Sequence, residues 1–220
     1  MARKTNNKIR TQHLILCEGR DAEEFLIAYL NSDALSSTPA FSNDFQVMDF
    51  GGNENLSNYI ELLKNMQDFE QVKTILIIRD AERNTTNSIK QIQSTLQKSG
   101  LPVPETTYSW KGESLKVGFL LFPTCDSTVQ VGTLEDLCLS ILKEHNSQII
   151  IQEIMTFMKT LENNYNRTFP HEFKTKLHSY FSITDNFVSM KIGEAARAQA
   201  FDWSHENLIP LKNFLMKIIN

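Results

Sequence analysis

Six acidic side chains stand where their type and spacing could do chemistry. Glu18, Asp49, Asp80 and Glu82 lie at or just beyond the ends of three apolar runs, and Glu135 and Asp136 follow Thr133 at the start of a later segment. Carboxylates gathered at strand ends suit a hard cation such as Mg2+ or Mn2+, which takes oxygen ligands and keeps waters that a phosphate can displace. The matching chemistry is phosphoryl transfer or phosphodiester cleavage, in which the ion neutralises charge on the transferring phosphate. Each residue also has a plainer reading. Asp80 could simply end a strand, Glu82 could sit solvated in the first turn of a helix, and Thr133 with Asp136 makes a helix-capping arrangement. Asp49 spells Asp-Phe-Gly with its neighbours, but no glycine-rich or catalytic loop accompanies it. His13, His145, His171, His178 and His205 show no HExxH or other paired metal spacing, which argues against zinc.

The elements that must position these groups read as alternating strands and helices. Residues 13–17 form a short continuous apolar run, as a strand buried on both faces would, and Asp21 with Glu24 looks like a helix N-cap and its partner before Phe25, Leu26, Tyr29 and Leu30. The pattern recurs as a strand over 45–50 with a helix over 53–66, and again as a strand over 74–78 with a helix over 86–98. A strand over 117–122 and a helix over 133–143 follow. Strands alternating with helices predict an α/β fold with a mostly parallel sheet covered on both faces. In such a sheet functional groups collect at the carboxyl ends of the strands, where the acids stand. Beyond Gln148 only helical spacing remains: Ile154, Phe157, Met158 and Leu161, then Leu208, Leu211, Phe214, Leu215 and Ile218. The expected division is an α/β domain over 1–147 and a helical extension over 148–220 packed on it. A homodimer interface is the other use for those apolar stripes.

Composition narrows the partners. Lys and Arg total 22 against 26 Asp and Glu, a formal net charge of -4, so contact with a nucleic acid requires a local basic patch or bridging metal ions. Lys174, Lys176, Lys191 and Arg197 are candidates for a phosphate-binding face. Cys17, Cys125 and Cys138 are odd in number and set in apolar stretches, so they read as reduced core residues. Arg3, Lys4, Lys8 and Arg10 precede an apolar run too short for a signal peptide, and no run has the length of a membrane span. The expectation is a soluble, cytoplasmic protein without a membrane partner. Trp110, Trp203 and the 14 phenylalanines read as packing residues rather than base-stacking platforms.

Two segments carry a resemblance. Leu14-Ile15-Leu16-Cys17-Glu18-Gly19-Arg20-Asp21 resembles the first motif of the Toprim domain, a strand delivering a Glu-Gly pair, and Ile77-Ile78-Arg79-Asp80-Ala81-Glu82 is similar to its second, an Asp-x-Asp after a later strand. Toprim domains occur in topoisomerases, DnaG-type primases, small ribonucleases and overcoming-lysogenization-defect nucleases. The resemblance covers roughly residues 12–145. It implies that Glu18 does acid/base work and binds metal, and that Asp80 and Glu82 hold Mg2+, with Glu135 or Asp136 available for a second ion. The chain departs from the pattern at Glu82, where the family has Asp, and no glycine soon follows the pair. Pro123, Gly132-Thr133-Leu134-Glu135-Asp136-Leu137, Lys191-Ile192-Gly193-Glu194-Ala195-Ala196 and Phe201-Asp202-Trp203 resemble a group of uncharacterised prokaryotic Toprim-like proteins. With no covalent nucleophile in evidence, hydrolysis of a nucleic acid or nucleotide is expected ahead of strand passage. The rival expectation is a Toprim-like module without turnover that binds nucleotide, nucleic acid or a protein partner.

Overall fold

Residues 8–35 and 41–219 are described by a computed structural model; Arg3, Lys4 and Asn220 lie outside them. The strands are β1 (His13–Cys17), β2 (Phe45–Asp49), β3 (Thr74–Asp80), β4 (Trp110–Lys111) and β5 (Lys116–Phe122), in the sheet order β2-β1-β3-β5-β4. β1 is parallel to both β2 and β3, and β3 to β5, while β4 runs antiparallel along the outer side of β5. The expected mostly parallel α/β sheet is what the chain forms, with β1 and β3 as central neighbours. β4 is an addition to that expectation, since two residues carry no periodicity.

Alternation along the strands feeds two cores, one per face. Ile15, Leu76 and Leu120 point to one side, and Leu16, Ile77 and Phe119 to the other. The helices are α1 (Arg20–Leu30), α2 (Phe41–Asp44), α3 (Leu56–Lys64), α4 (Thr85–Lys98), α5 (Leu134–Ser140), α6 (Ser147–Tyr165), α7 (Glu172–Ser182), α8 (Ile192–Arg197) and α9 (Ile209–Ile219). α3 and α4 cover the second face through Ile60, Leu63, Ile92 and Leu96; α1 and α5–α9 supply the core of the first. From β1 the chain moves to one side to form β2, then crosses over to form β3 on the other. The strand order therefore reverses between β1 and β3, the kind of point at which open parallel sheets gather their functional groups.

Several local expectations are corrected. α1 begins at Arg20 after Gly19, whose φ of 85° makes the sharp exit from β1. Asp21 is thus inside the helix rather than its cap, and its carboxylate accepts from the Gly193 N–H at 3.4 Å. The helix expected over 53–66 opens with a 3-10 turn, Asn53–Asn55, before α3. β3 runs two residues further than the apolar run, because Arg79 and Asp80 stay in register with Leu121 and Phe122 of β5. The helix expected over 133–143 spans only Leu134–Ser140, with Thr133 as its cap.

The C-terminal helices share the first-face core. Trp110 stacks on Phe214 with ring centroids 4.6 Å apart, and Trp203 meets Phe25 at 5.2 Å, so both tryptophans pack as expected. The Tyr29 hydroxyl donates to the Leu208 carbonyl at 3.4 Å, and α8 lies so close on α1 that a Cβ at Gly193 would come 2.5 Å from the Cβ of Glu24. One residue of the expected stripe departs from it. Phe157 is 60% exposed, because α6 turns Ile151, Ile154 and Met158 inward and Phe157 lies on its outer side. The three cysteines are free and buried. No helix among the described residues is long and apolar enough to cross a membrane.

Candidate functional site

The reversal between β1 and β3 brings the two motif segments together. Cys17 pairs in register with Ile78, and the Glu18 N–H donates to the Ile78 carbonyl at 3.3 Å, so Glu18 leaves β1 beside Arg79 and Asp80. The neighbouring turn is tied by Asp49, whose Oδ1 accepts from the N–H groups of Gly19 at 2.9 Å and Gly51 at 2.6 Å. Asp49 therefore organises the backbone around Glu18.

Glu18 faces a buried arginine. Arg79 is only 2% exposed, its Nε stands 3.6 Å from Glu18 Oε2, and its Nη1 donates to Gln91 Oε1 at 3.2 Å. Glu18 Oε2, Arg79 Nε and Arg79 Nη2 are buried without a hydrogen-bond partner among the described residues. Burial pushes the Glu18 carboxyl up; Arg79 and a backbone bond from Asn53 pull it down, and the charges of Glu82 and Glu54 push it further up. Burial likewise lowers Arg79, against the charges of Glu18, Glu82 and Asp80. A buried pair held at 3.6 Å, with three unsatisfied atoms, recovers little of its desolvation cost.

Asp80 is the most perturbed of the acids. Its Oδ1 accepts from the Leu134 N–H at the start of α5, at 2.8 Å. Burial first, then the charge of Glu135, push its carboxyl up to about 8 against the bond from Leu134, with further contributions from Glu18 and Glu82. Glu135 is itself buried, and Lys174 of α7 reaches to 3.7 Å from its Oε1. Asp136 turns back to cap its own helix, with Oδ2 accepting from the Thr133 N–H at 2.9 Å, and burial raises its carboxyl. The plainer capping reading of Thr133 and Asp136 thus describes their geometry.

Glu82 is exposed and sits in the left-handed region with φ 59°. A pair of 2.9 Å backbone bonds to Gly132 holds it there, one in each direction. Such a conformation in a non-glycine residue persists where its surroundings enforce it. Glu18, Asp80 and Glu82 act on one another electrostatically, and Glu135 joins them through Asp80. They do not form one ligand shell: among the described residues, no three His, Cys, Asp or Glu side chains are grouped to hold a metal ion. Leu134, Thr133 and Arg79 each draw one carboxylate aside.

Three of the four basic residues expected to line a phosphate face are engaged elsewhere. Lys174 pairs with Glu135, Lys176 with Glu172 at 2.6 Å and Arg197 with Glu24 at 2.6 Å, while Lys191 is exposed at the start of α8. The residue that sequence reasoning missed is Arg79. Its signal was a charged side chain following an apolar strand run, since arginine is rarely fully buried unless paired.

Comparison with known sequences adds the family. A protein family of unknown function, DUF3226, matches residues 12–220. The chain belongs to that family. No curated protein and no solved structure matches it. The DUF3226 match extends through α9, consistent with a C-terminal segment that shares the core of the sheet.

Proposed function

We propose that this DUF3226 protein is a Toprim-like, Mg2+- or Mn2+-dependent enzyme that cleaves phosphodiester or transfers phosphoryl groups on a nucleic acid or nucleotide. The observation that carries the reading is the placement of Glu18 and Asp80 on either side of the strand-order reversal, at the carboxyl ends of β1 and β3. Such a reversal point is where open parallel sheets bind ligands. The donor set suits a hard cation: Mg2+ takes one or two protein carboxylates and keeps several waters. Glu18, with a buried oxygen lacking a hydrogen bond, and Asp80, pushed up to about 8, gain most from a nearby positive charge. Glu18 and Asp80 would be the first ligands, and Glu82 and Glu135, which are not grouped with them into one shell, would have to turn toward the ion to join. A bound divalent ion supplies charge neutralisation at a phosphate oxygen. The chain's own part is to orient and to move protons. Glu18, its carboxyl raised by burial, would accept or return a proton, and Arg79 offers unsatisfied N–H groups toward developing negative charge.

A binding module without turnover is the second reading, favoured by the structural employment of Asp80 on Leu134 and of Glu18 on Arg79. One set of measurements separates the two. Mg2+ or Mn2+ is expected to raise the melting temperature of the wild type but not of Glu18→Gln. Metal-dependent cleavage of single- or double-stranded DNA, RNA or nucleotides should disappear in the same variant. A melting shift without turnover on any substrate selects the binding module. No shift with either ion overturns the metal site.

A further inference from the structure

The buried guanidinium of Arg79 also borders a cleft that shares Asn53 and Glu54 with the surroundings of Glu18. An opening of about 520 Å³ lies between the turn before α3 and the outer side of α4, with Asn53, Ser57, Arg79, Lys90, Gln91 and Lys98 around it. A smaller one of about 240 Å³ at the start of α4 shares Asn53, Arg79 and Gln91 and adds Arg83, Asn84 and Asn87. Glu54 and Glu82 are the acidic members, against Arg79, Arg83, Lys90 and Lys98. Lys90 and Lys98 are exposed and have no ion-pair partner among the described residues, and Arg83 meets only the Pro170 carbonyl at 3.3 Å.

We infer that this cleft is a subsite for a phosphate-bearing anion, seated over Arg79 and flanked by Lys90 and Lys98. Arg79 supplies what a surface cluster of lysines lacks. It is 2% exposed, with Nη2 unsatisfied and Nε facing only the Glu18 carboxylate at 3.6 Å. The neutral Gln91 oxygen on Nη1 is a weak partner for a cation and belongs to an exposed side chain. A phosphate oxygen in its place exchanges a neutral acceptor for a charged one, and such hydrogen bonds are shorter and about twice as strong. The hydroxyl of Ser57 and the amides of Asn53 and Asn87 offer neutral donors around the same volume. This is the local basic patch that a chain of net charge -4 requires to approach a polyanion. The subsite deepens the proposed phosphoryl chemistry by placing phosphate next to Glu18, but the binding needs neither metal nor turnover.

The test is therefore made on the full chain with a chelator present. Inorganic pyrophosphate and a short 5′-phosphorylated oligonucleotide are titrated separately by calorimetry, at low and moderate salt. Saturable binding that weakens with salt is expected for at least one probe, and the tighter probe tells a free phosphate from a nucleic-acid backbone. The double variant Lys90→Ser, Lys98→Ser changes only exposed side chains and should bind at least 10-fold more weakly with an unchanged melting temperature. Arg79→Lys, which keeps the charge but loses the fork, should also bind more weakly. Absence of saturable binding by the wild type to either probe, or equal affinity in the double variant, overturns the subsite. Failure of the metal titration alone leaves these results unaffected and bears only on the proposed enzyme.

Discussion

Replacing Asp80 by Asn isolates the electrostatic cost of the acidic crowd. The Asn carbonyl oxygen can keep the bond from the Leu134 N–H, now 2.8 Å from Asp80 Oδ1, so the variant resembles the protonated wild type. Asp80 is raised from 3.8 to about 8 in the folded chain. Its carboxyl is therefore protonated in the fold and ionised in the unfolded chain across the window between those values. Raising the pH through that window favours the unfolded state, so the wild type loses stability up to about pH 8 and levels off above it. Each pH unit of that window costs the fold ~1.4 kcal/mol, which sets a ceiling of ~6 kcal/mol. Partial solvent access and rearrangement of the neighbouring Lys174 reduce this, and a gain of ~2–4 kcal/mol for Asp80→Asn at pH 8 is the working expectation. The gain should shrink steadily toward pH 5. Urea unfolding of both proteins between pH 5 and 9, without divalent ions, reads it directly. A variant less stable than the wild type at pH 8, or a difference that does not move with pH, would refute the electrostatic account. On the proposed metal site, Mg2+ should narrow or reverse the difference, because an ion held in part by Asp80 would stabilise the protein that retains the carboxylate more than the variant.

Two further outcomes concern the packing that holds the site. Gly193→Ala sets a Cβ 2.5 Å from that of Glu24 and wedges α8 off α1. Overpacking of ~1–3 kcal/mol outweighs the ~1 kcal/mol that a helix gains from Ala over Gly, so thermal melting should show a fall of a few degrees; an increase would show that the contact relaxes freely. Truncation after His145 removes Tyr180, Phe201, Leu211 and Phe214, all buried in the core shared with Phe25 and Tyr29. At ~1.5–3 kcal/mol per large apolar side chain, that loss rivals the ~5–15 kcal/mol net stability of a domain. The fragment should be insoluble or molten by near-UV circular dichroism; a soluble fragment that melts cooperatively would show the extension to be dispensable.

The sheet was legible in the sequence because a strand buried on both faces must be apolar at every position, and residues 14–17 and 75–78 satisfy that requirement without help from the rest of the chain. The same runs announce their acidic ends, so Glu18, Asp80 and Glu82 stand out before their neighbours are known. Local patterns are less informative where a residue's partner is distant. Asp21 has the spacing of a cap, yet it faces Gly193, and Phe157 falls at helical spacing but on the outer side of α6. Periodicity shows which side chains share a face but not what covers it. Only the tertiary structure decided how Asp80 and Glu18 are employed, because the Leu134 N–H reaches Asp80 from α5 and the Arg79 guanidinium reaches Glu18 from β3. Most of all it decided the place of Arg79, a basic residue at the end of an apolar strand. Its charge acquires meaning from β1, which brings Glu18 to it, and from α4, which sets Gln91, Lys90 and Lys98 around the cleft it borders.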